Sequence, residues 1–255
     1  MKPKLAGLIA LALAGLVLAG CDKAKDRMLQ GWVEAELIFV SPDEQGRVET
    51  LTVREGDRAK KSALLFTVDD DLQQADVVVK KAAVTNAQQA FDRAQQLLKS
   101  AAGTQKSFED AEAALRQANA NLEASQTRLA RRRALSPAEG TIEQVYYRPG
   151  ETVPAGRPVV ALLPPGNLKI RFFVPQAELP RIKYGETVTV SCDGCEKGLT
   201  AKVSFIARSA EYTPPVIYSM DERAKLVFLI EARPENPQQF RVGQPVSVVL
   251  AEAPK

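Results

Sequence analysis

The sequence predicts a mainly β protein, interrupted by an α-helical coiled-coil hairpin and followed by a small antiparallel β-barrel. Three observations carry that prediction: a motif that occurs twice, a heptad pattern between its occurrences, and a run of short strands after the second. The stretch Gly46-Arg47-Val48-Glu49-Thr50-Leu51-Thr52-Val53-Arg54-Glu55-Gly56 returns as Gly140-Thr141-Ile142-Glu143-Gln144-Val145-Tyr146-Tyr147-Arg148-Pro149-Gly150, at a constant offset of 94 residues. The offset matches Val48 with Ile142, Leu51 with Val145, Gly56 with Gly150 and Ala59 with Val153. Each copy follows a Ser-Pro (Ser41-Pro42, Ser136-Pro137) and ends in an apolar strand, Ala63-Leu64-Leu65-Phe66 or Pro158-Val159-Val160-Ala161-Leu162. Two half-motifs that complete one another across a helical insert describe a spacer held out from a platform, an architecture for connecting rather than for catalysis.

The insert reads as two helices, from about Leu72 to Ser100 and from about Ser107 to Arg133. In the second, Phe108, Leu115, Leu122 and Leu129 recur every seven residues, with Ala111, Ala118 and Ser125 between them, which is an a/d seam. In the first, Ala83, Ala87, Ala90, Ala94, Leu97 and Ala101 step by four and three and form a narrower seam for those Leu knobs. The break at Ala101-Ala102-Gly103-Thr104 is short, so the helices fold back antiparallel into a hairpin of roughly 45 Å. Asp69-Asp70-Asp71 suits a helix N-terminus through capping and the dipole. Three acids in a row lack the alternate spacing and glycine of a calcium loop. Arg131-Arg132-Arg133 suits the end of the second helix, where cations complement the dipole.

After Leu163-Pro164-Pro165-Gly166 the chain turns all-β, with strand candidates Leu168–Val174, Thr187–Ser191, Leu199–Ile206, Lys225–Ala232 and Pro245–Leu250. These form a small antiparallel barrel that a strand at Trp32–Leu37, part of a strand-like run from Trp32 to Val40, can close.

The N-terminus is an address rather than fold. Lys2 and Lys4 precede an apolar run from Leu5 to Leu18, too short for a comfortable membrane span. Leu18-Ala19-Gly20-Cys21 resembles a bacterial lipobox, which implies lipidation of Cys21 as the mature N-terminus. Two or more acyl chains would hold the protein firmly to a bilayer. Asp22 resembles the signal that retains lipoproteins in the inner membrane, which implies the periplasmic face. The expected division is a signal peptide at 1–20, a linker and barrel-closing strand at 21–38, half-motifs at 39–71 and 135–163, the hairpin at 72–134 and the barrel at 164–255.

Composition narrows the function. A net charge of +3 in 255 residues indicates neither nucleic acid nor a general anionic surface as partner. The chain has no His, which removes the commonest general base and transition-metal ligand and excludes Ser-His-Asp and Cys-His sites. Ser191-Cys192-Asp193-Gly194-Cys195 could be a redox motif, half a zinc site or a disulfide across a turn. Strand-like flanks, the Asp-Gly turn signal and the lack of further soft ligands favour a structural disulfide in an oxidising compartment.

The order of half-motif, hairpin, half-motif and barrel behind a lipoprotein signal resembles the HlyD-type periplasmic adaptor, or membrane fusion protein, family across nearly the whole mature chain. Gly46–Asp57 with Leu65-Phe66, Leu97–Ala111 and Gly140–Gly156 look like family signatures. Ala210–Ser219 (AEYTPPVIYS) is similar to a lipoprotein subgroup that pairs with ABC-2-type exporters. The resemblance implies that the half-motifs form one split lipoyl/biotinyl-like β-domain. It implies a non-enzymatic, cofactor-free subunit, apart from the lipid on Cys21, that self-associates into a ring, commonly hexameric. It implies an inner-membrane transporter and a TolC-type outer-membrane channel as partners. The family's tip motif falls on Arg93, Leu97 and Thr104, with Thr in place of Ser. Because the chain ends with the barrel, an ABC-type exporter is expected as partner ahead of an RND or major-facilitator pump. Two other classes compete: a carrier bearing a biotinyl or lipoyl Lys, whose tight turn the helices here replace, and an envelope scaffold lipoprotein without transport.

Overall fold

A computed structural model describes residues 28–212 and 226–250, so Cys21, Asp22 and most of the Ala210–Ser219 segment lie outside the described residues. The chain divides into two units: Ala35–Leu168, and the residues up to Glu34 together with those from Lys169 onward.

The first unit contains the repeats. Its strands are β2 (Ile38–Val40), β3 (Gly46–Leu51), β4 (Arg58–Ala59), β5 (Leu64–Val68), β6 (Arg133–Leu135), β7 (Gly140–Val145), β8 (Thr152–Val153) and β9 (Val160–Leu163). They form two four-stranded sheets, ordered β2-β9-β7-β4 and β6-β5-β3-β8. Adding 94 to the residue numbers carries β3 onto β7, β4 onto β8 and β5 onto β9, so one sheet maps onto the other. The halves interlock, because β4 pairs with β7 and β8 with β3.

The correspondence extends to single hydrogen bonds. Gly56 N donates to Ile142 O and Gly150 N to Val48 O, both at 2.8 Å. Ile142 N donates to Asp57 O (2.9 Å) and Val48 N to Glu151 O (2.8 Å). Even the β-bulges coincide, between Val48 and Thr50 and between Ile142 and Gln144. Between the sheets Val48, Leu65, Phe66, Val68, Ile142, Val153, Val159, Val160 and Leu162 form a buried core. Side chains of this size each contribute about 1.5–3 kcal/mol when fully buried. Neither half can bury these faces alone, which is why the repeats fold together.

Between β5 and β6 run the helices α1 (Asp71–Lys99) and α2 (Gln105–Ala130). In α2 the half-buried and buried positions include all seven expected seam residues, Phe108 through Leu129. In α1 the expected seam holds in part. Ala87, Ala90 and Ala94 are half-buried, whereas Ala83, Leu97 and Ala101 are exposed, and Val77, Val84, Phe91 and Leu98 turn inward at heptad spacing in their place. Bulky apolar side chains outcompete alanine for the interface, because they remove more surface from water. Phe91 packs against Phe108 across the hairpin, with ring centroids 5.3 Å apart and the ring planes tilted by 41°. Ala101 lies beyond the helix, with φ 56°.

The acidic triplet caps through a different member than the N-cap residue. Asp69 Oδ1 accepts from Asp71 N at 3.4 Å, and Asp71 stands in the first turn. Asp70, the N-cap at φ −123° and ψ 6°, makes no side-chain cap bond. Its Oδ1 instead accepts from Gln74 Nε2 at 2.6 Å, and Asp69 pairs with Arg47 at 3.6 Å.

The second unit is the barrel. Its strands are β1 (Leu29–Ala35), β10 (Leu168–Pro175), β11 (Thr187–Ser191), β12 (Leu199–Ile206), β13 (Glu211–Tyr212), β14 (Leu226–Pro234) and β15 (Pro245–Val249). The order β10-β1-β15-β11-β12-β14 closes through the β10–β14 pairing, and β13 adds to β14. Strict alternation in β10 sends Leu168, Ile170, Phe172 and Val174 inward. The strand-like run Trp32–Val40 is two strands. β1 enters the barrel and β2 the repeat unit, parted where Glu36 N donates to Asn167 O at 3.0 Å. Gly31 lets β1 lie against β10, since a Cβ there would stand 2.5 Å from Arg171 O.

Candidate functional site

The hairpin tip is built from the end of α1 upward. Leu97 O accepts from Ala102 N (2.9 Å), Gly103 N (3.0 Å) and Ser100 Oγ (3.1 Å), which folds the loop back over the last turn. Gly103 permits this, because a Cβ there would press 3.0 Å from Leu97 Cβ and 3.2 Å from Leu97 C. Thr104 then starts α2 as its N-cap, in extended backbone, with Oγ1 accepting from Ser107 N at 3.1 Å. That satisfies one of the orphan amides of the first turn.

The three expected tip residues stand in different situations. Leu97 is off the seam and half of its surface is exposed. Arg93, one turn below on the same face, is exposed and has no ion-pair partner among the described residues. Thr104 is exposed, but its hydroxyl is engaged as the cap. The result is an apolar side chain flanked by a cation, beside a loop folded back onto Leu97 O.

The foot of the hairpin holds residues that the sequence reading assigned only to the dipole. α2 ends at Ala130, and Arg132 turns inward with 9% exposure. Its Nη1 donates to Gln45 O at 3.1 Å and its Nη2 to Glu44 Oε2 at 2.9 Å. Arg131 pairs with Asp43 at 3.2 Å. Gly46 leaves the room for this, since a Cβ there would collide with Val68 Cγ1 and Arg132 Nη1. The hairpin is therefore tied to the Asp43–Gly46 loop by two guanidinium groups, and β5 pairs with β6 directly beneath it. Arg133 belongs to β6, not to the helix. The local signal for this foot is a run of three Arg opposite Asp43-Glu44.

Cys192 and Cys195 are joined by a disulfide across the β11–β12 turn, with Cα atoms 5.3 Å apart and Gly194 at φ +76°. No helix among the described residues is long and apolar enough to cross a membrane.

No protein-family profile matches the chain. Among proteins of known sequence it is similar to a UPF0194 membrane protein of Acidithiobacillus ferridurans, at 26% identity over 86% of this chain and 85% of the relative. It is also similar to a UPF0194 membrane protein of Citrobacter koseri, at 24% identity over 98% of each. Among solved structures it resembles a MacA–MexA chimera carrying the Pseudomonas aeruginosa MexA α-hairpin domain. There the TM-score is 0.73 at 21% identity, covering 88% of this chain and 82% of that one. The membrane fusion protein Spr0693 of Streptococcus pneumoniae R6 aligns at TM-score 0.69 and 19% identity, over 89% of this chain and 100% of that one. The fold is thus that of membrane fusion proteins.

Proposed function

We propose that this chain is a periplasmic adaptor of a tripartite export system, linking an inner-membrane ABC-type exporter to a TolC-type outer-membrane channel. On this reading a lipid on Cys21 anchors it to the periplasmic face of the inner membrane, Asp22 retains it there, and copies assemble into a ring, six-fold in the family it resembles. It carries no catalytic machinery and no cofactor beyond that lipid. The interlocked repeats serve as the split lipoyl-like platform from which the hairpin projects. The observation that supports this best is the projecting hairpin itself, about 44 Å long, rooted by Arg131 and Arg132 and ending in the exposed Leu97 beside Arg93. A rod of that length needs a second rod reaching inward from the far side, and Arg93, Leu97 and Thr104 form its docking end.

The test is crosslinking of the intact lipidated protein in cells, followed by affinity purification and identification of what accompanies it. The adaptor reading expects an ABC permease and ATPase together with a TolC-type channel. An RND or major-facilitator pump instead would keep the role and replace the partner, and recovery of neither pump nor channel would overturn it in favour of an envelope scaffold. Leu97→Asp should abolish recovery of the channel while leaving helix content by circular dichroism unchanged, because Leu97 contributes nothing to the seam. Thr104→Ser should retain the cap, whereas Thr104→Ala should cost about 0.5–2 kcal/mol of local stability, seen as faster amide exchange in the first turn of α2.

A further inference from the structure

The two ends of the barrel differ in what they expose. Neighbouring strands pair antiparallel around it, so β1, β11 and β14 start at the end where β10, β12 and β15 finish. At that end the chain runs through 176–186 between β10 and β11, and leaves β12 through 207–210. Tyr184 stands there 77% exposed, with Met28 and Phe205 also exposed. Arg181 pairs with Glu178 at 2.8 Å, whereas Lys183 and Arg208, both exposed, have no ion-pair partner among the described residues. The opposite end is made by the connections 192–198 and 235–244. Their exposed charges are Asp193, Glu196 and Glu235 with Lys197 and Arg241, and neither connection exposes an aromatic ring.

The fold does not call for Tyr184. It is the second residue of Lys183-Tyr184-Gly185-Glu186, a turn in which Glu186 N donates to Lys183 O (3.1 Å) and Lys183 N to Glu186 Oε2 (2.8 Å), with Gly185 at φ +80°. The same turn is built three more times, at Arg54-Glu55-Gly56-Asp57, Arg148-Pro149-Gly150-Glu151 and Arg241-Val242-Gly243-Gln244. Each keeps the glycine that supplies the positive φ, and a fourth residue whose side chain accepts from the first amide. The second position holds Glu, Pro or Val in those copies, so the turn sets no requirement there. Burial sets none either, since Ile182 is the residue that turns inward.

What lies beyond this end follows from the tether. β1 starts at Leu29, eight residues after Cys21, and eight extended residues reach about 28 Å at most. With Cys21 lipidated, the Tyr184 end is held within that distance of the bilayer, and the other end lies a seven-residue strand farther along β1. An exposed Tyr beside unpaired cations is the composition of a membrane–water interface. The ring sits among the headgroups with its hydroxyl wet, and the cations meet lipid phosphates.

We propose that this end of the barrel rests on the bilayer as a second, reversible contact beside the lipid, with Tyr184 at headgroup level and Lys183 and Arg208 facing the phosphates of anionic lipids. A tether alone leaves the tilt of the barrel open; a second contact fixes which end faces the membrane. The proposal rests on the lipidation of Cys21 given above.

The experiment uses the full lipidated chain in vesicles of phosphatidylethanolamine and phosphatidylglycerol, with a spin label on Tyr184→Cys. Acylated Cys21 and the bonded Cys192 and Cys195 leave no other free thiol. Val242→Cys, at the same place in the equivalent turn of the opposite end, is the control. The label at 184 should be reached by oxygen and shielded from an aqueous nickel chelate, and the label at 242 should show the reverse. Equal access at both positions would overturn the proposal. Shielding in native membranes but not in vesicles would assign this end to a protein partner and overturn it as well. Acylation is read from the mass of the same protein: an acylated chain with an aqueous label sinks the bilayer contact alone, and an unacylated chain sinks the anchor with it. Lys183→Gln and Arg208→Gln, each made in the labelled chain, should lower the ratio of immersed to aqueous label about fivefold in anionic vesicles and leave it unchanged in phosphatidylcholine. A label immersed equally in all of these would count against the proposal. Tyr184→Ser should leave the melting midpoint unchanged, and a large fall would mean that Tyr184 serves folding instead.

Discussion

The two repeats share a hydrogen-bond plan and differ in what they were given to hold. At the 94-residue offset the interlocking amides, the bulges and the apolar core positions coincide. Around that common plan the copies diverge. Phe66 in the first copy corresponds to Val160 in the second, Ser62 to Gly156, and Ile38 to Arg132. The last exchange is the most telling, because it places a guanidinium where the first copy has an aliphatic side chain and ties down the hairpin's foot. Backbone pairing and core volume are what the repeat preserves; the edges are where each copy acquires a separate task.

The largest way to break this equivalence is in the core. Phe66→Ala removes a side chain with no exposed surface and should cost about 3–5 kcal/mol. The smaller Val160→Ala should cost less, and urea unfolding monitored by circular dichroism measures both. If the two losses were equal, the halves would not share the core unevenly as their volumes require.

At the foot, Arg132→Ala leaves Gln45 O and Glu44 without their donors and should cost about 1–3 kcal/mol. Hydrogen exchange should rise at the start of α1 and the end of α2 while β7 and β9 stay protected. The equivalent Ile38→Ala should leave the hairpin's exchange untouched.

The turns supply the smallest effects and the sharpest comparison. Ser62 N donates to Ser136 O and Gly156 N to Pro42 O, and both residues are left-handed, at φ 64° and 74°. Gly156→Ala should therefore destabilise by roughly 1 kcal/mol, since a side chain is strained there. Ser62→Gly should change the melting midpoint little, because relief of strain is offset by the greater freedom of the unfolded chain. A large gain from Ser62→Gly would mean that the first turn stores more strain than the second.

Much of this was legible in the sequence, for identifiable reasons. The 94-residue echo fixed the pairing of the halves, because glycines and alternating apolar residues must repeat where backbone geometry repeats. Strands β11 and β12 read correctly to the residue, since Gly and Asp-Gly bracket clean alternation. The phase of α1 was legible only in part, at Ala87, Ala90 and Ala94. It is rich in alanine, so two overlapping stripes satisfied the same spacing, and only the heptad Val77, Val84, Phe91, Leu98 distinguishes the true one. That error hid the exposure of Leu97. Arg132 escaped because its partners lie nearly ninety residues away, and a run of arginines at a helix end looks like dipole chemistry. The break between β1 and β2 falls at Glu36-Leu37, two residues ahead of the expected boundary after residue 38, because Trp32–Val40 carries no glycine or proline to mark it.

The pairing of Phe66 with Ala134 beneath the hairpin has a consequence for how such molecules change size. The chain leaves and returns through adjacent strands, so everything between Asp71 and Ala130 is closed off at its root. Residues can be added to or removed from the two helices without altering the platform, provided that both gain or lose whole heptads and keep the seam in phase. The accessible reach is then quantised, in steps of about 10.5 Å per heptad, and intermediate lengths would rotate the tip out of register with the foot.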